Sequence, residues 1–244
     1  MLALIDGARI SVLSTRGARL DTTDLVLRQQ EYYDGRAEDW QRWITRYMRP
    51  VEGEVSKLLA ELPLDGHVLD MACGTGYWTR QLADRATSVT ALDGSAAMLE
   101  QVAQAGLPNV SVVHADLFSW NPPTEWDAVF FAHWLAHVPD DRFDRFWGTV
   151  DGALAPSGHV VIVDVAPEEQ RIEEHIHERE SVPLTRRRLR DGRQYDVVKK
   201  YWEPEELIER IQPLGFTGSG TKIGAGDGFG FVVWNVFRSS DDQS

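Results

Sequence analysis

Apolar residues fall along the chain in short runs at 67–72, 88–92, 110–114, 126–131 and 159–163. Continuous apolar runs of this length mark strands buried on both faces. Between them, residues 76–85, 95–105 and 140–154 recur with helical spacing, and Ser95 stands where a helix N-cap belongs. Repeated strand–helix–strand units predict a parallel sheet with helices on both faces. After Asp164 the pattern predicts a charged helical segment, then a strand-like stretch over 193–202. A helix from Pro204 to Leu214 follows, with proline in its first turn. Two final strands, near 216–223 and 229–238, read as a hairpin across the glycine-rich GAGDG at 224–228.

Ahead of this core lies a helical cover. Residues 24–62 are helical in pattern and carry Tyr32, Tyr33, Trp40, Trp43 and Tyr47, with Pro50 expected to divide two helices. The division is then a mobile arm over 1–24, the cover at 25–62 and a core over 63–238 with an insertion at about 165–202. A mobile tail occupies 239–244.

Composition narrows the function. The chain has 244 residues, 43% of them hydrophobic, which is enough for one large α/β core. No apolar run approaches the roughly 20 residues a membrane helix needs, and no signal core opens the sequence. No membrane partner is expected on that ground, and the single cysteine, Cys73, which cannot form an internal disulfide, fits a reducing cytoplasm. The net charge of −13 argues against nucleic acid, whose binding is driven by basic surface.

Glycines and acids then locate a candidate site. In VLDMACGTGYWTRQLA, Gly74 and Gly76 occupy a strand-to-helix turn, where backbone approaches a ligand closely and the helix start favours a negative group. Asp70 ends that strand, Asp93 in ALDGSAAML ends the next one, and Asp116 in HADLF follows the third. A carboxylate at the first end can meet a cationic amino group, one at the second can grip ribose hydroxyls, and one at the third can accept from an adenine amino group. Ligands of open α/β sheets bind at those ends.

DMACGTG, LDGS and ADLF resemble the successive S-adenosylmethionine (SAM)-binding motifs of class I methyltransferases, in order over about residues 30–238. The resemblance implies a Rossmann-like α/β fold with a seven-stranded, mostly parallel sheet and a C-terminal antiparallel hairpin. It implies SAM as cofactor, with Asp70, Gly74 and Gly76 at its methionine end, Asp93 at the ribose and Asp116 with Leu117 at the adenine. Met98 would pack on the adenine ring, and Ala72, Trp78, Gly94 and Ala132 complete the set. Tyr33 and Arg36 in the cover could close over SAM and exclude water. Ala72 stands where the common pattern has its first glycine, a departure that also weakens a dinucleotide reading.

The acceptor side is carried by two further features. In FFAHWLAHVP, His133 and His137 are four residues apart, so one helical turn could aim both at the methyl group as candidate catalytic residues. The same spacing suits zinc, but no third ligand accompanies it, so no metal is expected. RRRLRDGRQYDVVKK holds seven basic and two acidic residues, a local +5 that leaves −18 for the rest of the chain. On a strand, Tyr195, Val197, Lys199 and Tyr201 share a face, leaving Lys199 among apolar neighbours with Lys200 opposite. A lysine so placed needs a carboxylate or an anionic ligand.

YWTRQLA, VTALDGSAAML, WDAVFFAHWLAHVPDDRF, LAPSGHV and LRDGRQYDVVK resemble the phosphonate O-methyltransferases of dehydrophos-type antibiotic biosynthesis. That resemblance puts Tyr47, Arg187 and Lys199 at the phosphonate-binding positions and makes the partner a small anionic substrate. A homodimer is compatible with it. The arm and the insertion around 171–182 depart from the pattern, so N-, C- or carboxyl-O-methylation of another metabolite stays open. A noncatalytic SAM-binding protein and a nucleotide-dependent oxidoreductase are the readings from other classes.

Overall fold

In the computed structural model, successive residues of each central strand feed two different apolar layers. Leu69 and Met71 pack to one side and Val68 to the other; Val129 and Phe131 oppose Ala128 and Phe130, and Val160 and Ile162 oppose Val161 and Val163. Side chains alternate across a strand, so runs apolar at every position end up buried on both faces. The strands are β1 (His67–Met71), β2 (Ser88–Asp93), β3 (Val110–His114), β4 (Trp126–Ala132), β5 (Leu154–Val165), β9 (Phe216–Ile223) and β10 (Phe231–Arg238). They form one sheet in the order β3-β2-β1-β4-β5-β10-β9, parallel except where β10 runs against β5 and β9. The helices α4 (Tyr77–Ala83), α5 (Ala96–Gln104), α6 (Asp140–Ala153) and α7 (Pro204–Ile211) connect these strands. Ser95 caps α5 by accepting from the Met98 N–H at 3.2 Å, as its position predicts. No helix among the described residues is long and apolar enough to cross a membrane.

Description covers residues 22–173, 175–224 and 229–239. The expected arm up to residue 21, most of the GAGDG turn and the tail from 240 lie outside the described residues. Residues 22–24 are no part of an arm, because α1 spans Thr22–Asp34, with the Thr22 hydroxyl donating to Asp141 at 2.7 Å. The cover has three helices where two are expected, α1, α2 (Ala37–Met48) and α3 (Glu52–Ala60). The added break falls at Gly35, where a Cβ would lie 2.6 Å from Leu189 Cδ1 of the insertion.

The segment after Asp164 is not the expected charged helix. A short 3-10 turn, Pro167–Arg171, leads into a separate antiparallel sheet of β6 (Ile176–Arg179), β7 (Val182–Arg188) and β8 (Gln194–Val198). The β6–β7 turn has two central residues, Glu180 and Ser181, both left-handed at φ 51° and 67°. Such turns are usually announced by Asn-Gly or Asp-Gly, so Glu-Ser hides the hairpin. Helix α1 packs on β8, where Tyr32 meets Leu189, Tyr195 and Val197. Helix α1 and the insertion therefore pack together, while α3 joins the main core through Val55 and Leu59.

Candidate active site

The loop after β1 turns sharply through three left-handed residues, Ala72 (φ 54°), Gly74 (φ 55°) and Gly76 (φ 80°). The glycines adopt this freely, whereas Ala72 bears a cost of about 1–2 kcal/mol. A Cβ at Gly74 would lie 3.3 Å from Trp40 Nε1, so α2 of the cover comes down onto this loop. Asp93 ties the loop to the next one: one carboxylate oxygen accepts from the Gly74 N–H and the other from the Ser95 N–H, each at 2.8 Å. Asp70 is buried and accepts from the Thr79 hydroxyl at 2.6 Å. Asp116 is exposed, and its carboxylate caps the following turn through the Phe118 N–H and the Ser119 hydroxyl.

These loops and the cover enclose a cleft at the C-terminal ends of β1, β2 and β4. Of the residues expected at the cofactor, Tyr33, Asp70, Ala72, Gly74, Trp78, Asp93, Gly94, Met98, Asp116, Leu117 and Ala132 line it, together with His133 and His137. Gly76 does not; it precedes α4 and its carbonyl accepts from Arg80 at 2.7 Å. Arg36 does not either. Its guanidinium lies over the Trp40 and Trp43 rings and donates to the Tyr32 hydroxyl at 2.8 Å. Gln29 and Gln30, which no sequence motif marks, also line the cleft. Gln30 donates to the Gly94 carbonyl at 2.5 Å, and a glutamine within a polar helix carries no signal for such a bond. The cleft fits a polar ligand: Trp78 Nε1, His133 Nε2 and Trp134 Nε1 are buried without hydrogen-bond partners among the described residues, and all three side chains line it.

Burial pushes Asp70 up to about 7 and Asp93 up to about 6. An acid whose folded pKa is raised binds more protons folded than unfolded, so it lowers stability as pH rises from its unfolded value near 4 toward its folded one. For Asp70 this is about 1.4 kcal/mol per pH unit across that window. Without ligand, Asp70→Asn is therefore expected to melt above wild type at pH 8, with the advantage shrinking as pH falls to 5. Thermal unfolding at the two pH values checks it, and an advantage independent of pH refutes the assignment of a buried, titrating Asp70.

The two histidines do not share a helical turn. His133 follows β4 in a left-handed conformation (φ 55°), and His137 closes a separate 3-10 turn, Leu135–His137. The Val198 carbonyl can only accept, so His137 Nδ1 donates to it at 2.6 Å and Nε2 receives the Tyr33 hydroxyl at 2.7 Å. Both nitrogens of His137 are thereby used. Gln29 holds the same junction, donating to the His137 carbonyl at 3.0 Å and accepting from the Val198 N–H at 3.1 Å. Burial, reinforced by Lys199, lowers both histidines to about 3, which keeps them neutral.

Lys199 lies just past β8 and is 7% exposed, with Nζ 5.1 Å from the Tyr201 ring centre. Its charge favours the ionised forms of Asp164 and Glu169, whose pKa values burial raises. Tyr47 donates a short hydrogen bond to Glu169 and packs against the His133 ring. Arg187 donates to Glu173 at 2.7 Å, and the Tyr201 hydroxyl has no partner among the described residues. Tyr47 and Lys199 thus border the buried carboxylates Asp164 and Glu169 beside His133, whereas Arg187 is only partly buried and pairs with Glu173; none of the three lines the cleft itself, and Lys200 bonds Asp140 at 2.9 Å.

Residues 68–158 match the family model described as a methyltransferase domain. The fold is similar to that of DhpI in complex with SAM and HEP, at 43% identity and TM-score 0.78, covering 87% of this chain and 97% of that one. DhpI with SAH gives 40% identity and TM-score 0.75, covering 88% and 98%. In sequence the chain is also similar to trans-aconitate 2-methyltransferase of Rhizobium leguminosarum bv. trifolii, 37% identical over 111 residues. That match takes in 43% of this chain and spans only 41% of that enzyme's length.

Proposed function

Because the chain belongs to the class I SAM-dependent methyltransferase family, we propose that it methylates an oxygen of a small anionic metabolite, with a phosphonate the favoured acceptor. The observation that carries this reading is Lys199, a buried cation facing a cluster whose histidines are held neutral and far below a useful base. An uncharged hydroxyl acceptor needs a base with a pKa near the working pH. A phosphonate or carboxylate oxygen is already ionised and needs none.

When bound, SAM supplies a sulfonium-activated methyl group open to direct displacement by that oxygen. In this reading, Asp70, Asp93 and the Gly74 backbone hold the cofactor at the strand ends. Lys199 provides a point charge, and Arg187 a planar fork that matches two acceptor oxygens. His133 Nε2 and the Tyr201 hydroxyl, both without a hydrogen-bond partner among the described residues, orient the acceptor by hydrogen bonds. His137 positions the Tyr33 hydroxyl at the cleft wall. Catalysis then rests on alignment and charge compensation, and the aromatic cover excludes water.

The resemblance of LRDGRQYDVVK and the other segments to phosphonate O-methyltransferases, together with the likeness to DhpI in complex with SAM and HEP, supports the phosphonate. The partial likeness to trans-aconitate 2-methyltransferases favours a second reading, methylation of a carboxylate. A screen with SAM and separate pools of phosphonates, polycarboxylates, amines and neutral alcohols, read by mass for added CH₂, decides between them. Phosphonate products are expected. Turnover of neutral alcohols alone overturns the anionic acceptor.

A further inference from the structure

On the outer side of the cover, a groove runs between α1–α2 and the β7–β8 hairpin. Seven arginines line it: Arg36, Arg42 and Arg46 from the cover, and the run 186–188 with Arg190 from the hairpin. Three carboxylates, Glu38, Asp39 and Asp191, face them, a net +4 in a chain of net −13. Some of this charge is already matched. Arg42 and Arg190 share Asp39 at 2.7 and 2.8 Å, Arg186 pairs with Asp196, and Arg187 with Glu173. Arg46 and Arg188 are exposed and have no carboxylate within 4 Å among the described residues.

Exposed ion pairs add little stability, so the fold has small use for this concentration of arginine. An anion with several charges, by contrast, engages several guanidinium forks at once. The rest of the surface is strongly negative and repels such an anion, which makes the groove a local well in the field. Arg187 links the groove to the acceptor residues. Arg187 lines it and acts electrostatically on Tyr33, His137 and Tyr201. Tyr32 faces the groove while its neighbour Tyr33 lines the cleft.

We propose that this groove is a second anion site, taking a distal phosphoryl or carboxylate group of an acceptor whose proximal anion reaches Arg187 and Lys199. The acceptor is then a compound with at least two anionic groups. The assignment of the bound group to the acceptor rests on the anionic-acceptor reading; the groove's affinity for a polyanion does not.

Inorganic pyrophosphate is the probe, titrated into the SAH-loaded protein by calorimetry, with wild type, Lys199→Ala and the double variant Arg46→Ala/Arg188→Ala. Saturable 1:1 binding is expected in wild type. It should persist within about threefold in Lys199→Ala, weaken by at least about tenfold in the double variant, and decline with added salt. Absence of pyrophosphate binding, loss of it in Lys199→Ala, or indifference to the double substitution each overturns the groove site. Methylphosphonate titrated in parallel reports on the inner cluster, because its affinity should follow Lys199 and ignore Arg46 and Arg188. The two readings therefore fail separately.

Discussion

Lys199→Met lowers kcat/KM for the anionic acceptor by about ten- to a hundredfold while leaving SAM affinity within about twofold. The magnitude is that of one lost charge-assisted hydrogen bond, ~1.5–3 kcal/mol. Methionine keeps the volume of the lysine stem, so the loss reports charge and not a cavity. Lys200→Met is the internal comparison. Lys200 sits next in sequence but bonds Asp140 and lies 3.7 Å from the Trp202 ring centre, outside the cluster. Steady-state kinetics on both variants, with calorimetric SAM titration, checks the expectation. Equal and small effects at 199 and 200 remove Lys199 from the acceptor site. A melting point lowered by Lys199→Met with kcat/KM intact would reduce it to a counter-ion for Asp164 and Glu169.

Asp93→Ala weakens SAM binding by about a hundredfold or more. Two losses combine: the acceptor of ligand hydrogen bonds, and the tether that holds the Gly74 and Ser95 N–H groups in place. One charge-assisted bond alone gives ten- to a hundredfold, and a loosened glycine loop adds to it. Asp116→Ala should cost less, because Asp116 is exposed and its carboxylate already serves the turn at 116–120. Calorimetry on folded variants orders the two; a folded Asp93→Ala with unchanged SAM affinity excludes the residue from the site.

What the sequence makes legible here follows from how locally each feature is specified. The central strands and their helices are written as apolar runs against helical spacing, and β3, α5 and β9 come out within a residue of their observed bounds. Asp70 and Asp93 are legible for the same reason, since they lie at the ends of β1 and β2; Asp116 follows β3, an edge strand that the structure leaves largely exposed rather than buried as the apolar run suggests. The insertion was misread because its turn has no glycine or asparagine to mark the left-handed residues. The histidine pair was misread because spacing alone cannot reveal that His133 leaves the helical region altogether. Gln29 was invisible: its two bonds join residues 108 and 169 positions away, and no local pattern encodes a partner at that distance.

The place of β10 in the sheet has a consequence for how the protein is made. Residues 231–238 fill the gap between β5 and β9, pairing antiparallel with both and burying Phe231, Val232, Trp234 and Val236 completely. On the ribosome, β1 to β5 can therefore assemble only as far as an open edge along 159–165, with two apolar layers left uncovered. Closure waits until residue 238 has cleared the exit tunnel, and the pairing it then makes spans more than 60 residues of sequence. Non-local pairing of this kind slows folding and prolongs the exposure of sticky strand edges. A nascent chain stalled before residue 230 would be a client for chaperones, whereas one released after residue 238 could finish its sheet alone.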